Sequence, residues 1–318
     1  MAILLLNEDE VRQLLTMEMA LEAVERGLRK LALEEAQNIP RARCQTDHVM
    51  LHTMSAAAKT LGVMGYKAYT TSRQGAQFHV GLFDGKTGEL VALIQADYLG
   101  QMRTGAASGI ATKYLARQDA STVGLFGTGK QARTQLQAIC KVRKITHVRV
   151  YSRNEENRRQ FCDEMTPVCH CPVEPAARPE EAAENKDIVI TATNSADPVL
   201  MGDWLAEGTH LNAIGSNFLS KAEIDATAVR RAKTIVVDSK EQALIEAGDF
   251  RATWGDGSLY WPDVYELGEI IIGMQPGRTK PEDITLFKSL GLALEDVATA
   301  GQLVTIAKQA EVGRWIEW

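Results

Sequence analysis

The run Val123-Gly124-Leu125-Phe126-Gly127-Thr128-Gly129-Lys130-Gln131-Ala132 constrains this chain more than any other stretch. An apolar segment ends on one glycine, a second follows two positions later, and a helix-forming stretch opens at once. A lone G-x-G-x-x-A pattern is weak, because glycine-rich turns are common. Set between a strand and a helix, inside a strand–helix–strand unit of about thirty residues, it is a dinucleotide fingerprint. Gly127 allows the tight turn, and Gly129 lacks the Cβ that would block a pyrophosphate. Ala132 lets helix and strand approach closely, while the helix N-terminus offers amide donors and a positive dipole. Thr128 and Lys130 belong to the same turn and are read as cofactor contacts with it.

From Thr122 onward, apolar strands alternate with helices: Thr122–Phe126, Lys130–Val142, Val148–Ser152, Glu155–Glu164, Ile188–Thr193, His210–Ile214 and Ile235–Asp238. That rhythm predicts a parallel sheet covered on both faces. The N-terminal third differs. Asn7 with Glu10 predicts a capping box and a helix through Leu15, and Thr16 a second cap. Ala20, Val24, Leu28 and Leu31 then line one face of a longer helix, which Pro40 is expected to close. Strands follow at Val49–Thr53, Tyr66–Thr71, Phe78–Phe83 and Leu90–Ala96, the last two joined through Asp84–Gly88 as a hairpin. Leu286–Gln309 reads as helix returning to the first domain. The expectation is an α/β protein: a Rossmann-type doubly wound parallel sheet at 118–290, and an α+β domain at 1–117 joined by a helix at 291–318.

At 318 residues the chain is long enough for two domains. With 35 basic against 41 acidic residues it carries no electrostatic footprint for nucleic acid or an anionic membrane. No apolar run approaches the roughly 20 residues of a membrane span, and Met1–Leu6 lacks the basic start and small-residue site of a signal peptide. Five cysteines without a paired framework suggest reduced thiols and a cytoplasmic setting. Cys169-His170-Cys171 lacks a second ligand pair, so no metal is expected. The six histidines show no ligand or nucleophile spacing, and Trp254, Tyr260, Trp261 and Tyr265 read as packing residues.

The kind of dinucleotide is argued from the tip of the second strand. NAD-binding units tend to carry Asp or Glu there, about 20 residues past the glycines. This chain reads Val150-Tyr151-Ser152-Arg153-Asn154. Arg153 can pair with a 2′-phosphate, and Ser152 or Asn154 can donate to it, which favours NADP(H) over NAD(H).

Three basic residues outside that unit stand out by position: Arg43 just before the first strands, Lys67 inside the apolar strand Gly65–Tyr69, and Arg103 at the start of a small-residue helix. Taken alone, each is most simply a surface charge. In order, however, the strand Lys67, Arg103-Thr104-Gly105-Ala106-Ala107, Gly127–Ala132, Ala213–Asn217 and Asp283–Gly291 resemble the ornithine cyclodeaminase/μ-crystallin family over nearly the whole chain.

The resemblance implies a homodimer paired through the non-Rossmann domain. It also implies that Arg43, Lys67 and Arg103 hold a substrate carboxylate beside the nicotinamide. Lys67 would in addition move the proton on the substrate nitrogen. Thr104, Gln131, Thr191, Thr193, Gly215, Asn217, Lys221 and Ser289 match positions around the dinucleotide, and Met54, Asn217 and Leu290 positions around the substrate. Two acids of the ornithine cyclodeaminases are absent: thirteen residues before Lys67 stands Met54, and after the fifth-strand glycine the chain reads Gly215-Ser216-Asn217. A substrate ammonium buried without a carboxylate partner is costly. The implied activity is therefore reduction of a C=N bond next to a carboxylate, reversible as an amino-acid dehydrogenase. A cyclodeaminase that recycles NAD and releases ammonia, or a non-catalytic NADP-binding protein, are the alternatives.

Overall fold

The computed structural model describes residues 2–317. Strand β1 (Ala2–Leu6) leads into α1 (Glu8–Leu14) through the capping box: Asn7 Oδ1 accepts the Asp9 and Glu10 amides, and Glu10 accepts the Asn7 amide at 2.8 Å. Thr16 caps α2 (Met17–Ala32), whose Ala20, Val24 and Leu28 are buried as their spacing predicts. Pro40 does not close this helix. The helix stops at Ala32, and Pro40 lies inside β2 (Ala36–Gln45), at an irregularity of an edge strand where a residue without an amide donor is tolerated. Arg43 therefore lies within the first antiparallel strand rather than ahead of it. Then come β3 (Val49–Ala58), β4 (Val63–Ser72), β5 (Gly75–Asp84) and β6 (Leu90–Gln95).

Helix α3 (Asp97–Leu115) follows, and the chain divides within it: one compact unit is Met1–Thr104 with Gly291–Trp318, the other Gly105–Leu290. The break falls inside this helix rather than at 117/118, because an unbroken helix carries no composition signal where its packing partners change. The second unit runs β7 (Thr122–Phe126), α4 (Lys130–Val142), β8 (His147–Tyr151), α5 (Glu155–Cys169), β9 (Val173–Pro175), β10 (Ile188–Thr191) and β11 (His210–Ala213). It continues with α6 (Ala226–Arg231), β12 (Ala232–Val237), α7 (Lys240–Glu246), α8 (Arg251–Gly255), β13 (Val264–Glu266), α9 (Leu267–Ile271) and β14 (Ile284–Lys288). Its sheet is parallel throughout, in the order β13-β12-β14-β11-β10-β7-β8-β9. Strand order reverses at β7, with β8 on one side and β10 on the other. In doubly wound sheets, ligands bind beyond the strand C-termini at such a switch point.

Leu286–Lys288 is not helical as expected but part of central strand β14. A short, continuous apolar run has no period that separates a buried strand from a buried helix. Only α10 (Ala293–Gln309) is helix, and β15 (Arg314–Glu317) ends the described chain. These two belong to the first unit, whose sheet reads β15-β1-β6-β5-β4-β3-β2. Helix α10 packs along α2, β3 and β4, and its first eight residues are all buried. No helix among the described residues is long and apolar enough to cross a membrane.

Candidate active site

In the first unit, the inward face of the antiparallel sheet carries a ladder of functional side chains. Lys67 on β4 lies directly across from Met54 on β3, and Arg43, His52, Tyr69 and Phe78 form the next row. Lys67 is only 3% exposed. Its Nζ donates to Asp296 Oδ1 of α10 at 2.8 Å. Arg103, from the N-terminal part of α3, donates Nε to the same oxygen at 3.1 Å and Nη1 to Glu295 Oε2 at 2.8 Å. Arg41 of β2, also buried, donates to the Gly291 carbonyl at 3.2 Å.

Glycine makes room for these heads. A Cβ on Gly291, at φ +82°, would lie 2.7 Å from the Arg103 guanidinium, and one on Gly100 2.9 Å from Lys67 Nζ. Thr104 turns its hydroxyl back to the Gly100 carbonyl at 2.7 Å.

The electrostatics follow from burial. Loss of water pushes the Lys67 ammonium down to about 8; Asp296 opposes this, and Arg103 and Arg41 add to it. Burial also works against the Arg103 charge, but Asp296 and Glu295 outweigh it and hold the guanidinium above its ordinary value. Two buried cations, Lys67 and Arg103, thus converge on two buried carboxylates, with buried Arg41 close by. Donors are left over. Arg103 Nη2 and two of the three Lys67 protons have no hydrogen-bond acceptor among the described residues. Arg43 sits half-buried at the rim, donating Nε to His52 Nδ1 at 3.2 Å. Burial, then Arg43 and Arg41, push His52 down to about 4, so its ring is neutral and stacks on Tyr69 with centroids 4.2 Å apart.

In the second unit the fingerprint turn is made of backbone. Gly127 has φ +108°, and a Cβ there would lie 2.3 Å from the Ala192 carbonyl oxygen, so only glycine fits. Gly129, the N-cap of α4, has nothing within 4 Å of where its Cβ would be. Ala132 is fully buried against the sheet. Gln131 Oε1 is a buried oxygen without a partner in this structure. An open cradle beside a helix N-terminus and an orphaned polar atom fit a dinucleotide. At the tip of β8, Arg153 is exposed, Ser152 donates to the Asn154 carbonyl at 3.1 Å, and Asn154 caps α5.

The strand ends on the other side of the switch point are braced by buried charge. Glu223 accepts from the Thr191 hydroxyl at 3.0 Å, the Thr193 amide at 2.6 Å and the Gly215 amide at 2.5 Å. Asp249 in turn accepts the Glu223 and Ile224 amides and pairs with Lys288 at 2.8 Å, whose ammonium also donates to the Ser216 carbonyl. The polar groups of Thr191 and Gly215 thus face Glu223. Ser289 and the Leu290 amide both donate to Asp238. Lys221 lies against the Phe218 ring, and Asn217 is half-buried in the same loop.

Sequence reasoning did not single out Arg41, Glu223, Asp249, Lys288, Glu295 or Asp296. A usable signal existed for the last pair: two adjacent acids between Leu294 and Val297, in an otherwise apolar helix start.

Residues 2–311 match the model of the ornithine cyclodeaminase/mu-crystallin family. The chain belongs to that family. It is 36% identical over 328 residues to the Delta(1)-pyrroline-2-carboxylate reductase of Bacillus cereus, covering 99% of this chain and 100% of that protein. It is also 36% identical over 330 residues to alanine dehydrogenase of Archaeoglobus fulgidus, covering 100% of this chain and 99% of that one. Thermococcus litoralis Delta(1)-pyrroline-2-carboxylate reductase, solved in complex with NADH and L-proline, superposes with a TM-score of 0.93 at 35% identity, over 98% of this chain and 99% of that one. Within the ornithine cyclodeaminase/mu-crystallin family, these similarities lie with proteins named as a reductase or a dehydrogenase.

Proposed function

We propose that this family member is an NAD(P)H-dependent oxidoreductase that reduces a C=N bond α to a carboxylate, turning an imino acid or cyclic ketimine into an amino acid, and runs the reverse oxidation. The observation that carries this reading is the convergence of the buried Lys67 and Arg103 cations with donors still unspent on each. A carboxylate is the complement of such a set, and clustered or bidentate cationic donors fix its orientation. Arg43, Lys67 and Arg103 are the proposed clamp. Met54, across from Lys67, gives the substrate an apolar neighbour, which disfavours a second amine and with it a cyclodeaminase. Asn217 and Leu290 are proposed as further substrate contacts.

Lys67, carrying its proton, protonates the substrate nitrogen while its remaining donors hold the anion. A bound nicotinamide supplies the hydride that C2 accepts. Burial places Lys67 near 8, which suits a group that must both give and regain a proton near neutral pH. Turnover in the reducing direction needs the ammonium and falls as pH rises through about 8; the oxidation needs the free amine and rises there.

For the cofactor, the glycine turn, Thr128, Lys130 and Gln131 are proposed to hold the dinucleotide, with Thr104, Thr191, Thr193, Gly215, Lys221 and Ser289 around it. NADP(H) over NAD(H) is proposed on the exposed Arg153 at the tip of β8. The remaining proposals are a second copy of the chain, paired through the first unit, and a cytoplasmic setting. The test is cofactor oxidation with NADPH beside NADH, across cyclic ketimine carboxylates and 2-oxo acids with ammonia or methylamine. Stoichiometric cofactor loss supports the reading. Ammonia release with no net change in the nicotinamide band would replace it with a cyclodeaminase.

A further inference from the structure

We propose that Asp296 is a positioning residue of this reaction: its carboxylate gathers the Lys67 ammonium and the Arg103 guanidinium onto one oxygen and keeps Lys67 in its proton-bearing form. The inference rests on the proposed role of Lys67. Asp296 Oδ1 takes both cations, at 2.8 Å and 3.1 Å. The side chain is fully buried, and its second oxygen has no partner in this structure. Bulk solvent does not reach this carboxylate, so the attraction acts in a low dielectric and is correspondingly strong. Glu295, one residue earlier on α10, bonds Arg103, whereas the bond to Lys67 comes from Asp296; the adjacent acids divide the work.

Of the charged groups around Lys67, only the acids of this helix favour its charge, and the two aromatic rings add a weaker attraction. Arg103 of α3 and Arg41 of β2 repel it. Arg43 of β2 lies one row away, spent on His52 of β3, which is neutral above about pH 4. Tyr69 on the same strand and Phe78 of β5 present ring faces, with centroids 5.9 Å and 5.4 Å from Nζ. Glu295 and Asp296 of α10 are the two acids at the cluster, and Asp296 is the one in contact with Lys67. Without it, burial and two cations act on Lys67 unopposed by any touching carboxylate, and the proton leaves at lower pH.

The test is a titration of the Lys67 Cε resonance in 13C-lysine-labelled protein, assigned by its loss in Lys67→Met, together with the pH profile of kcat/KM. In the wild type the midpoint is expected near pH 8. In Asp296→Asn it is expected at least one pH unit lower, with the alkaline limb of reduction moving the same way and kcat falling more than tenfold. Asp296→Glu, which keeps the charge but moves it, is expected to bring the midpoint back to within half a unit. Glu295→Gln, at an acid that bonds Arg103 and the Leu292 amide but not Lys67, is expected to leave the midpoint within half a unit.

An unmoved or raised midpoint in Asp296→Asn overturns the proposal. Should that variant not fold, a wild-type midpoint below pH 7, or an Asp296→Glu midpoint a full unit lower, overturns it instead. The resonance titration needs no substrate. A wild type that turns over no imine therefore defeats the proposed function while the Asp296 proposal is still decided.

Discussion

The dinucleotide half of the second unit is built from backbone, and the anion half of the first from side chains. At Gly127 and Gly129 recognition depends on what is missing: no Cβ, open space where a Gly129 Cβ would stand, and no side chain capping the start of α4. Around Lys67 it depends on what is crowded in, with three cations and two acids from β2, β4, α3 and α10 at buried positions. A backbone cradle is rigid and tolerant of side-chain change. A buried ionic cluster is the reverse, because removing one charge leaves its partner unpaired at a cost of about 3–5 kcal/mol.

That contrast is tested most severely at Lys67. Lys67→Met is expected to lower kcat by about 10³-fold, within the range for loss of a positioned proton donor. Affinity for the reduced cofactor, read by nicotinamide fluorescence, is expected to stay within about twofold. A parallel loss of cofactor affinity would break the division of labour between the two halves.

Two glycines in one turn supply the next effect. Gly127→Ala forces a side chain into a left-handed backbone and against the Ala192 carbonyl, so destabilisation of about 3 kcal/mol is expected in a denaturant melt. Gly129→Val meets only open space and is expected to keep its Tm while cofactor affinity falls more than tenfold. If both variants lost stability equally, the turn would be a packing element and not a cradle.

How much of this was legible in the sequence follows from the same contrast. The strand, turn and helix of the fingerprint are contiguous, and β7 and α4 run over Thr122–Phe126 and Lys130–Val142 as the pattern predicts. The capping box at Asn7 and Glu10 is equally local. The ionic cluster is not. Lys67 and Asp296 are 229 positions apart, and no periodicity relates them. Lys67 and Arg103 stand out in the sequence as charges among apolar or small residues, and Asp296, in similar company, lies beside a second acid that makes it look like an ordinary helix start. Strand β2 was hidden because Ala36–Gln45 is rich in polar residues and contains a proline, and it took Arg41 with it. Strand β14 reads as helix in the sequence because it is buried on both faces and so shows no alternation of period two.

Each unit also buries one neutral histidine, which makes acid stability a third comparison. Burial, then Arg43 and Arg41, hold His52 down to about 4; burial, then Arg278, holds His210 down to about 3. The unfolded chain binds these protons near pH 6.5 and the folded chain does not. Stability is therefore fully present above about pH 6.5 and is lost progressively as pH falls toward 4. Tm is expected to fall by several degrees between pH 7 and pH 5. His52→Gln is expected to flatten that slope, and an unchanged slope would show that His52 titrates normally in the fold.

The smallest expected effect is at Arg153, where the second unit departs from its own backbone strategy. The tip of β8 carries no acid to hold a ribose hydroxyl pair, and Asn154 Oδ1 is occupied as the cap of α5. Arg153 extends into solvent there, so its charge is screened and its contribution modest. Arg153→Ser is expected to weaken NADPH binding about tenfold, or about 1.4 kcal/mol, and to leave NADH binding unchanged. The NADPH loss is expected to shrink as salt is raised, because a solvent-facing guanidinium and a 2′-phosphate interact through screened charge, whereas the glycine cradle does not. Equal losses for both cofactors would place Arg153 on the shared part of the dinucleotide. The NADP preference would then have no residue to carry it, and the second unit would recognise its ligand by backbone alone.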